Sequence, residues 1–367
     1  MRITFILPEA NLSGGVRVVA IYAERLQQRG HDVTIVSAPP RSLPLKGQIK
    51  SFALGRGWPG SPKGGPSHLD GIDVKHHVID CYRPLTDGDV PDADVIIATW
   101  WETAEWVAGL SSAKGAKAYF IQHHEVVFEQ PVDRVNATYN LPLVKITISK
   151  WLQELMRDEF GDDDVAVVKN SVDTEMFFAR ARDKQSIPTV GMLYAEPKVK
   201  GCDVSLKALD IVRESVPELQ LVAFGQSTPS KGKLPTGTSF TLKPPQDTLR
   251  DIYASCDIWL CGSRAEGYHL PPLEAMACRC PVVSTKVGGP TDIIEDDVNG
   301  YLVDVEDHRS LADRMLRIIR MSPKRWREMS DAAYETVRAY SWDDATDLFE
   351  HALVHATERA ASHAGAV

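Results

Sequence analysis

The chain has 367 residues, too many for one ordinary hydrophobic core and enough for two domains. Hydrophobic residues make up 43% and charged ones 25%, the balance of a globular protein. A net charge of −9 excludes generic nucleic-acid binding, which needs a basic footprint, and no apolar run reaches the length of a bilayer span.

The start, Met1 to Glu9, is too short and too soon acidic for a signal peptide and reads as a strand, Ile3–Leu7. Val16–Arg29 carries apolar residues at helical spacing and stops at Gly30, a C-cap signal; His31–Ser37 is the next strand. Gly14 and Gly15 lie between the first strand and the first helix, where a doubly wound fold lets backbone approach a phosphate. The pair is not a full G-x-G-x-x-G, and a simple tight turn also accounts for it. From Pro39 to Leu69 the chain is rich in Gly, Pro and Ser and has no acidic residue. Arg41, Lys46, Lys50, Arg56 and Lys63 are interleaved there with Phe52, Leu54 and Trp58. Either this is an ordinary insertion, or it offers a basic, aromatic surface to a membrane or a phosphorylated lipid acceptor.

Strands are expected at Asp94–Thr99, Ala118–Gln122, Val144–Ser149 and Val165–Lys169, with a helix, Lys150–Phe160, between the last two. Gln122-His123-His124-Glu125 closes one of them, at the end where parallel sheets carry ligands; a bare surface His pair is the alternative. Asn170-Ser171-Val172-Asp173 suits a turn or a helix cap. Phe177–Ile187, polar and without apolar periodicity, is the expected linker.

A second alternation follows: strand Thr189–Leu193, helix Asp203–Val216, strands Leu219–Phe224 and Ser239–Leu242, helix Thr248–Ser255, strand Ile258–Leu260. Alternating strands and helices point to an α/β fold with parallel, doubly wound sheets. Lys200-Gly201 stands before the helix of this half, and Lys198 precedes it on a long loop.

Next comes Gly262-Ser263-Arg264-Ala265-Glu266-Gly267-Tyr268-His269-Leu270-Pro271-Pro272-Leu273-Glu274. Pro271 and Pro272 suit a first helical turn, where amides have no intrahelical partner. Anion donors must then come from the turn Gly267, Tyr268, His269 and Leu270 and from Leu273, at the positive end of the helix. Glu274 is expected in the first turn, facing a ribose, and Glu266 before the turn, facing what lies beyond the phosphates. The alternative is a Glu pair favoured by the helix dipole alone. Pro281–Thr285 then reads as a buried strand, Gly288-Gly289 as a glycine loop, and Asn299-Gly300 as a turn before another strand. The last helix expected is Asp343–His355. Six scattered cysteines lack zinc-site spacing and are expected as buried free thiols.

The ordered set Ser263-x-x-Glu266-Gly-Tyr-x-Leu-Pro-x-Leu-Glu274, then Pro281-Val-Val, Gly288-Gly289 and Asn299-Gly300, resembles the donor-site signature of the retaining glycosyltransferases of family 4. The resemblance implies the GT-B fold, two Rossmann-like doubly wound domains facing a central cleft. It implies an acceptor-side domain at 1–178, a donor domain at 187–340, a helix at 341–358 crossing back, and a flexible tail at 359–367. It implies a hexosyltransferase that moves a sugar from a nucleoside-diphosphate sugar to a glycan, lipid-linked or small-molecule acceptor, with no cofactor and no metal.

By the same resemblance Glu274 holds the ribose, the turn amides and Lys200 the diphosphate, Glu266 the hydroxyls of the donor sugar, and Ser263 belongs to the donor site. His123 (or His124) and the Gly14-Gly15 loop then face the transferred sugar, and Ser149 lines the cleft. A phosphate oxygen of the leaving group takes the acceptor's proton. Surface-polysaccharide synthesis in the cytoplasm, with peripheral contact at the inner membrane face, is the implied setting.

Two departures stand out. Met192 follows Gly191 where many members carry Arg, which leaves Lys198 as a substitute cation or as a bystander, and His269 replaces a usual Gly. Met192 keeps open a non-catalytic sugar-nucleotide binder; a GT-B epimerase is the other alternative. The run Tyr119-Phe-Ile-Gln122-x-x-Glu125 is similar to a rhamnosyltransferase subgroup.

Overall fold

The computed structural model describes residues 1–41, 64–127 and 130–364. Two compact units divide the chain, Met1–Val168 with Thr346–Val367, and Lys169–Ala345.

The first unit is built on a parallel sheet of β1 (Arg2–Leu7), β2 (Asp32–Ser37), β3 (Lys75–Val78), β4 (Val95–Ala98), β5 (Ala116–Ile121), β6 (Val144–Thr147) and β7 (Val165–Val167). Their order is β3-β2-β1-β4-β5-β6-β7, the reversal beside β1 that defines a doubly wound sheet. Helices α1 (Gly14–Gln28), α2 (Trp101–Gly109), α3 (Val132–Tyr139) and α4 (Lys150–Phe160) connect the strands. Central strands are buried along nearly their whole length, as helices on both faces require. β3 differs, since all four residues of Lys-His-His-Val are exposed at the sheet edge. No apolar signal marks it, so sequence periodicity passed over it.

The second unit repeats the plan. Strands β8 (Thr189–Tyr194), β9 (Gln220–Gly225), β10 (Ser239–Leu242), β11 (Ile258–Cys261), β12 (Val282–Thr285) and β13 (Gly300–Val303) lie in the order β10-β9-β8-β11-β12-β13, all parallel. The helices here are α5 (Cys202–Ser215), α6 (Leu249–Ala254), α7 (Leu270–Ala277), α8 (Pro290–Ile293), α9 (His308–Arg320) and α10 (Pro323–Arg338). Leu209, Leu260, Met315 and Trp326 share its core. α9 and α10, not expected from sequence, start on side-chain caps: Asp307 accepts from the Ser310 amide at 2.9 Å and Ser322 from the Arg325 amide at 3.2 Å.

Two boundaries differ from expectation. The division falls at Val168/Lys169 rather than in a linker at 177–187, because Phe177 is fully buried against Tyr253. The last helix, α11 (Trp342–Ala364), continues through most of the expected tail. Its Ala-rich end favours helix, and Arg359 and His355 pair with Asp164 at 2.6 and 3.2 Å. Phe349 of α11 stacks on Tyr22 at 4.4 Å and meets Phe120 at 5.0 Å, which anchors the helix in the first unit's core. Cys81 is exposed, whereas Cys202, Cys256, Cys261, Cys278 and Cys280 are buried free thiols.

The basic segment lies largely outside the described residues. Arg41, which is described, donates to Tyr82 at 2.9 Å and pairs with Glu102. Among the described residues no helix is long and apolar enough to cross a membrane.

Candidate functional site

The site in the second unit starts from a backbone contact. Gly201 ends the short turn Lys198–Lys200 in a left-handed conformation (φ 57°), and a Cβ there would lie 1.7 Å from the Gly262 carbonyl oxygen. A Cβ on Gly262 would in turn meet Ser205 Oγ at 2.6 Å. Only two glycines let the start of α5 press against the end of β11 this closely. Arg264 fastens the same junction: its amide donates to the Val199 carbonyl at 2.8 Å and its guanidinium grips Asp203 at 2.8 Å and Glu306.

This approach delivers Lys200 to Glu266. Lys200 Nζ donates to Glu266 Oε2 at 2.8 Å, Ser263 Oγ donates to Oε1 at 2.8 Å, and His269 Nε2 lies 3.7 Å from Oε1. Glu266 is 6% exposed. Burial pushes its carboxyl up, but the charges of His269 and Lys200 and the bonds from Lys200 and Ser263 outweigh that and hold it below its ordinary value. Burial also drives His269 down, with Lys200 adding to the effect and Glu266 opposing it. Lowered from an ordinary value already below 7, the His269 ring is neutral at pH 7 and its charge acts on Glu266 only at acid pH; at pH 7 the cation beside Glu266 is Lys200.

The turn Gly267–Leu270 is held from behind. Gly289 N–H donates to the Tyr268 carbonyl at 2.7 Å, and a Cβ on Gly289 would collide with that oxygen and with the Tyr268 ring. Tyr268 is buried. His269 caps α7 with φ 71°, ψ 74°. Because the helix begins at Leu270, Glu274 falls in the second turn, not the first as expected; the two prolines occupy the positions after Leu270. Glu274 is 4% exposed, and the buried Tyr253 hydroxyl donates to its Oε2 at 2.7 Å. Tyr253 was not singled out from sequence, because nothing in its spacing ties it to a carboxylate 21 residues away.

The side chain of Lys198 is exposed, while its carbonyl accepts from Arg264 at 2.5 Å. Met192 is 1% exposed within the core of the unit.

In the first unit, Gly14 and Gly15 open α1 behind the Ser13 cap, as expected between β1 and the first helix. The Gln122 side-chain amide donates to the Gly15 carbonyl at 3.2 Å, so the end of β5 meets the start of α1 here. His123 Nδ1 donates to the His124 carbonyl at 2.8 Å and the ring is half-buried. Beside them sits Glu125, 1% exposed, a residue sequence reasoning quoted without a role. Its Oε2 accepts from the Trp101 amide at 2.5 Å and the Tyr119 hydroxyl at 2.8 Å, while its own amide donates to the Tyr139 hydroxyl at 2.9 Å. Burial raises its carboxyl to about 8 despite those donors. Ser149 is fully buried. Asp173 forms a turn, its Oδ1 accepting from the Glu175 and Met176 amides at 2.9 and 3.0 Å.

Two family models divide the chain: Glycosyltransferase Family 4 matches residues 12–176 and Glycosyl transferases group 1 matches residues 174–336. A D-inositol 3-phosphate glycosyltransferase of Acidothermus cellulolyticus is 27% identical over 98% of this chain and 91% of its own length. A sucrose synthase of Acidithiobacillus caldus is 43% identical over 82 residues, 21% of this chain; the chain spans only 10% of that protein. Among solved structures, Anabaena HepE in complex with UDP-glucose superposes over 100% of both chains with a TM-score of 0.65 at 16% identity.

Proposed function

We propose that this chain, a family 4-like glycosyltransferase of the GT-B fold, transfers a hexose from a nucleoside-diphosphate sugar with retention of configuration and without a metal. One observation carries the reading: Lys200, Ser263 and His269 converge on the ionised, buried Glu266 at the carboxyl end of β11, beside a glycine-held turn that opens α7. In that arrangement the amides of Gly267 to Leu270 and Lys200 would hold the diphosphate, where fixed dipoles stabilise charge building on the leaving group. Glu266 would accept hydrogen bonds from sugar hydroxyls. Glu274, oriented by Tyr253, would accept those of the ribose.

The part assigned to the first unit is narrower. Gln122, which precedes His123, bonds the Gly15 carbonyl at the ligand-bearing end of the sheet, and we assign His123 and the Gly14-Gly15 loop to the transferred sugar. The proton released by the acceptor would pass to a phosphate oxygen of the departing diphosphate, so no protein base is required.

UDP-sugars are the first donors to try, since HepE binds UDP-glucose. The relative named for D-inositol 3-phosphate makes a polyol phosphate a reasonable first acceptor, beside glycan and lipid-linked ones. A role in surface-polysaccharide synthesis, in the cytoplasm or against the inner membrane face, belongs to the same proposal.

A thermal-shift screen against UDP, GDP, TDP and ADP sugars, followed by transfer assays with and without EDTA, tests this reading, because a tight ligand raises Tm by mass action. Binding with transfer lost in Glu266→Ala supports it. Failure of every nucleotide sugar to bind rejects it. A second reading, a binder without transferase activity, draws on the burial of Met192 where many family members carry a cation; binding without transfer would favour it.

A further inference from the structure

His269 occupies a backbone conformation that suits glycine. Its φ of 71° lies in the left-handed region, where a Cβ is strained and a glycine is not. Strain of this kind persists where the surroundings hold the residue for another purpose. The side chain is also 5% exposed, with Nδ1 buried and unpartnered among the described residues. A buried polar atom without a partner costs stability, so position 269 carries two penalties that glycine would remove together.

We propose that His269 is a specificity-determining residue, its Nδ1 accepting a hydrogen bond from a hydroxyl of the donor sugar. The tautomer follows from the neighbours. Glu266 Oε1 stands 3.7 Å from Nε2, and a carboxylate favours the proton on the ring nitrogen that faces it. Nδ1 then presents a lone pair and can only accept. A phosphate oxygen or a sugar carboxylate has no proton to offer it, whereas a neutral hexose does. The imidazole and Glu266 are thus two acceptors set side by side, which fits two hydroxyls of one sugar. The inference rests on the proposed donor site and adds the ligand group that His269 reads.

The test compares wild type, His269→Gly and His269→Asn by titration calorimetry. The probes are UDP-glucose, UDP-N-acetylglucosamine, GDP-mannose, TDP-rhamnose and ADP-glucose, each beside its free nucleoside diphosphate. His269→Gly should keep Tm or raise it by about 2 °C. It should leave the free diphosphate's Kd within about twofold and weaken the matching sugar nucleotide about five- to tenfold, the loss of one hydrogen bond. Asn tolerates the left-handed region and carries an acceptor oxygen, so His269→Asn should recover most of that affinity. Equal weakening of diphosphate and sugar nucleotide in His269→Gly, or no weakening of either, overturns the inference and leaves the donor site standing. If no probe binds wild type, the donor-site reading fails and this inference with it.

Discussion

Lys200 and Glu266 are bonded to each other at 2.8 Å, although each is also the group proposed to meet a different part of the donor. The pair neutralises a buried carboxylate that would otherwise be costly to keep ionised. An arriving diphosphate would share Lys200, and Glu266 would gain sugar hydroxyls in exchange.

Lys200→Met should therefore weaken nucleoside-diphosphate binding by tenfold or more, on the order of a charge-assisted bond. It should also change the acid limb of stability. Held below its ordinary 4.5, the Glu266 carboxyl contributes stability that is present above that value and is lost as pH falls through its folded value. Removing Lys200 raises the folded value, so acid unfolding should begin at higher pH in the variant. Denaturant melts from pH 3 to pH 7 read this directly.

Tyr253→Phe leaves Glu274 buried without its hydroxyl partner. The expected cost is about 1–3 kcal/mol in urea unfolding, with nucleotide affinity reduced several-fold because the carboxylate is no longer oriented. Full affinity in the variant would remove Tyr253 from the account.

Two glycine substitutions should behave in opposite ways. Gly201→Ala forces a Cβ into the Gly262 carbonyl from a left-handed residue, so it should cost at least about 2 kcal/mol and displace Lys200. Gly14→Ala meets nothing within 4 Å, so stability should hold or rise. If transfer nonetheless falls in Gly14→Ala, the space belongs to a ligand.

Glu125 predicts a pH dependence of the other sign. The unfolded carboxyl ionises near 4.5 and the folded one at about 8, so between these values only the folded state holds the proton. Stability should fall as pH rises across that window, by up to about 1.4 kcal/mol per pH unit. Glu125→Gln mimics the protonated acid and should flatten the slope. Urea midpoints of both proteins from pH 5 to pH 9 check it.

The alternation of strands and helices was legible because central strands such as Phe5–Leu7 and Ile258–Cys261 are continuous apolar runs between helical patterns. β3 was not, since an exposed edge strand of Lys-His-His-Val has no buried face to announce it. Glu266, Glu274, Lys200 and the His123 turn could be picked out because their residue types and order resemble a known signature. Their partners could not. Tyr253 reaches Glu274 and Gly201 meets Gly262 through tertiary packing, which leaves no periodic trace. The displacement of Glu274 to the second turn came from His269, whose left-handed cap starts the helix one residue before the prolines.

The central claim is that the segment from Glu266 to Glu274 cradles a nucleoside diphosphate. Titration of wild type and Glu274→Ala with UDP, GDP, TDP and ADP tests it most directly. The account predicts that one of the four binds wild type and loses at least tenfold in affinity when Glu274 is removed. Equal affinity for both proteins, or no binding to either, would contradict it.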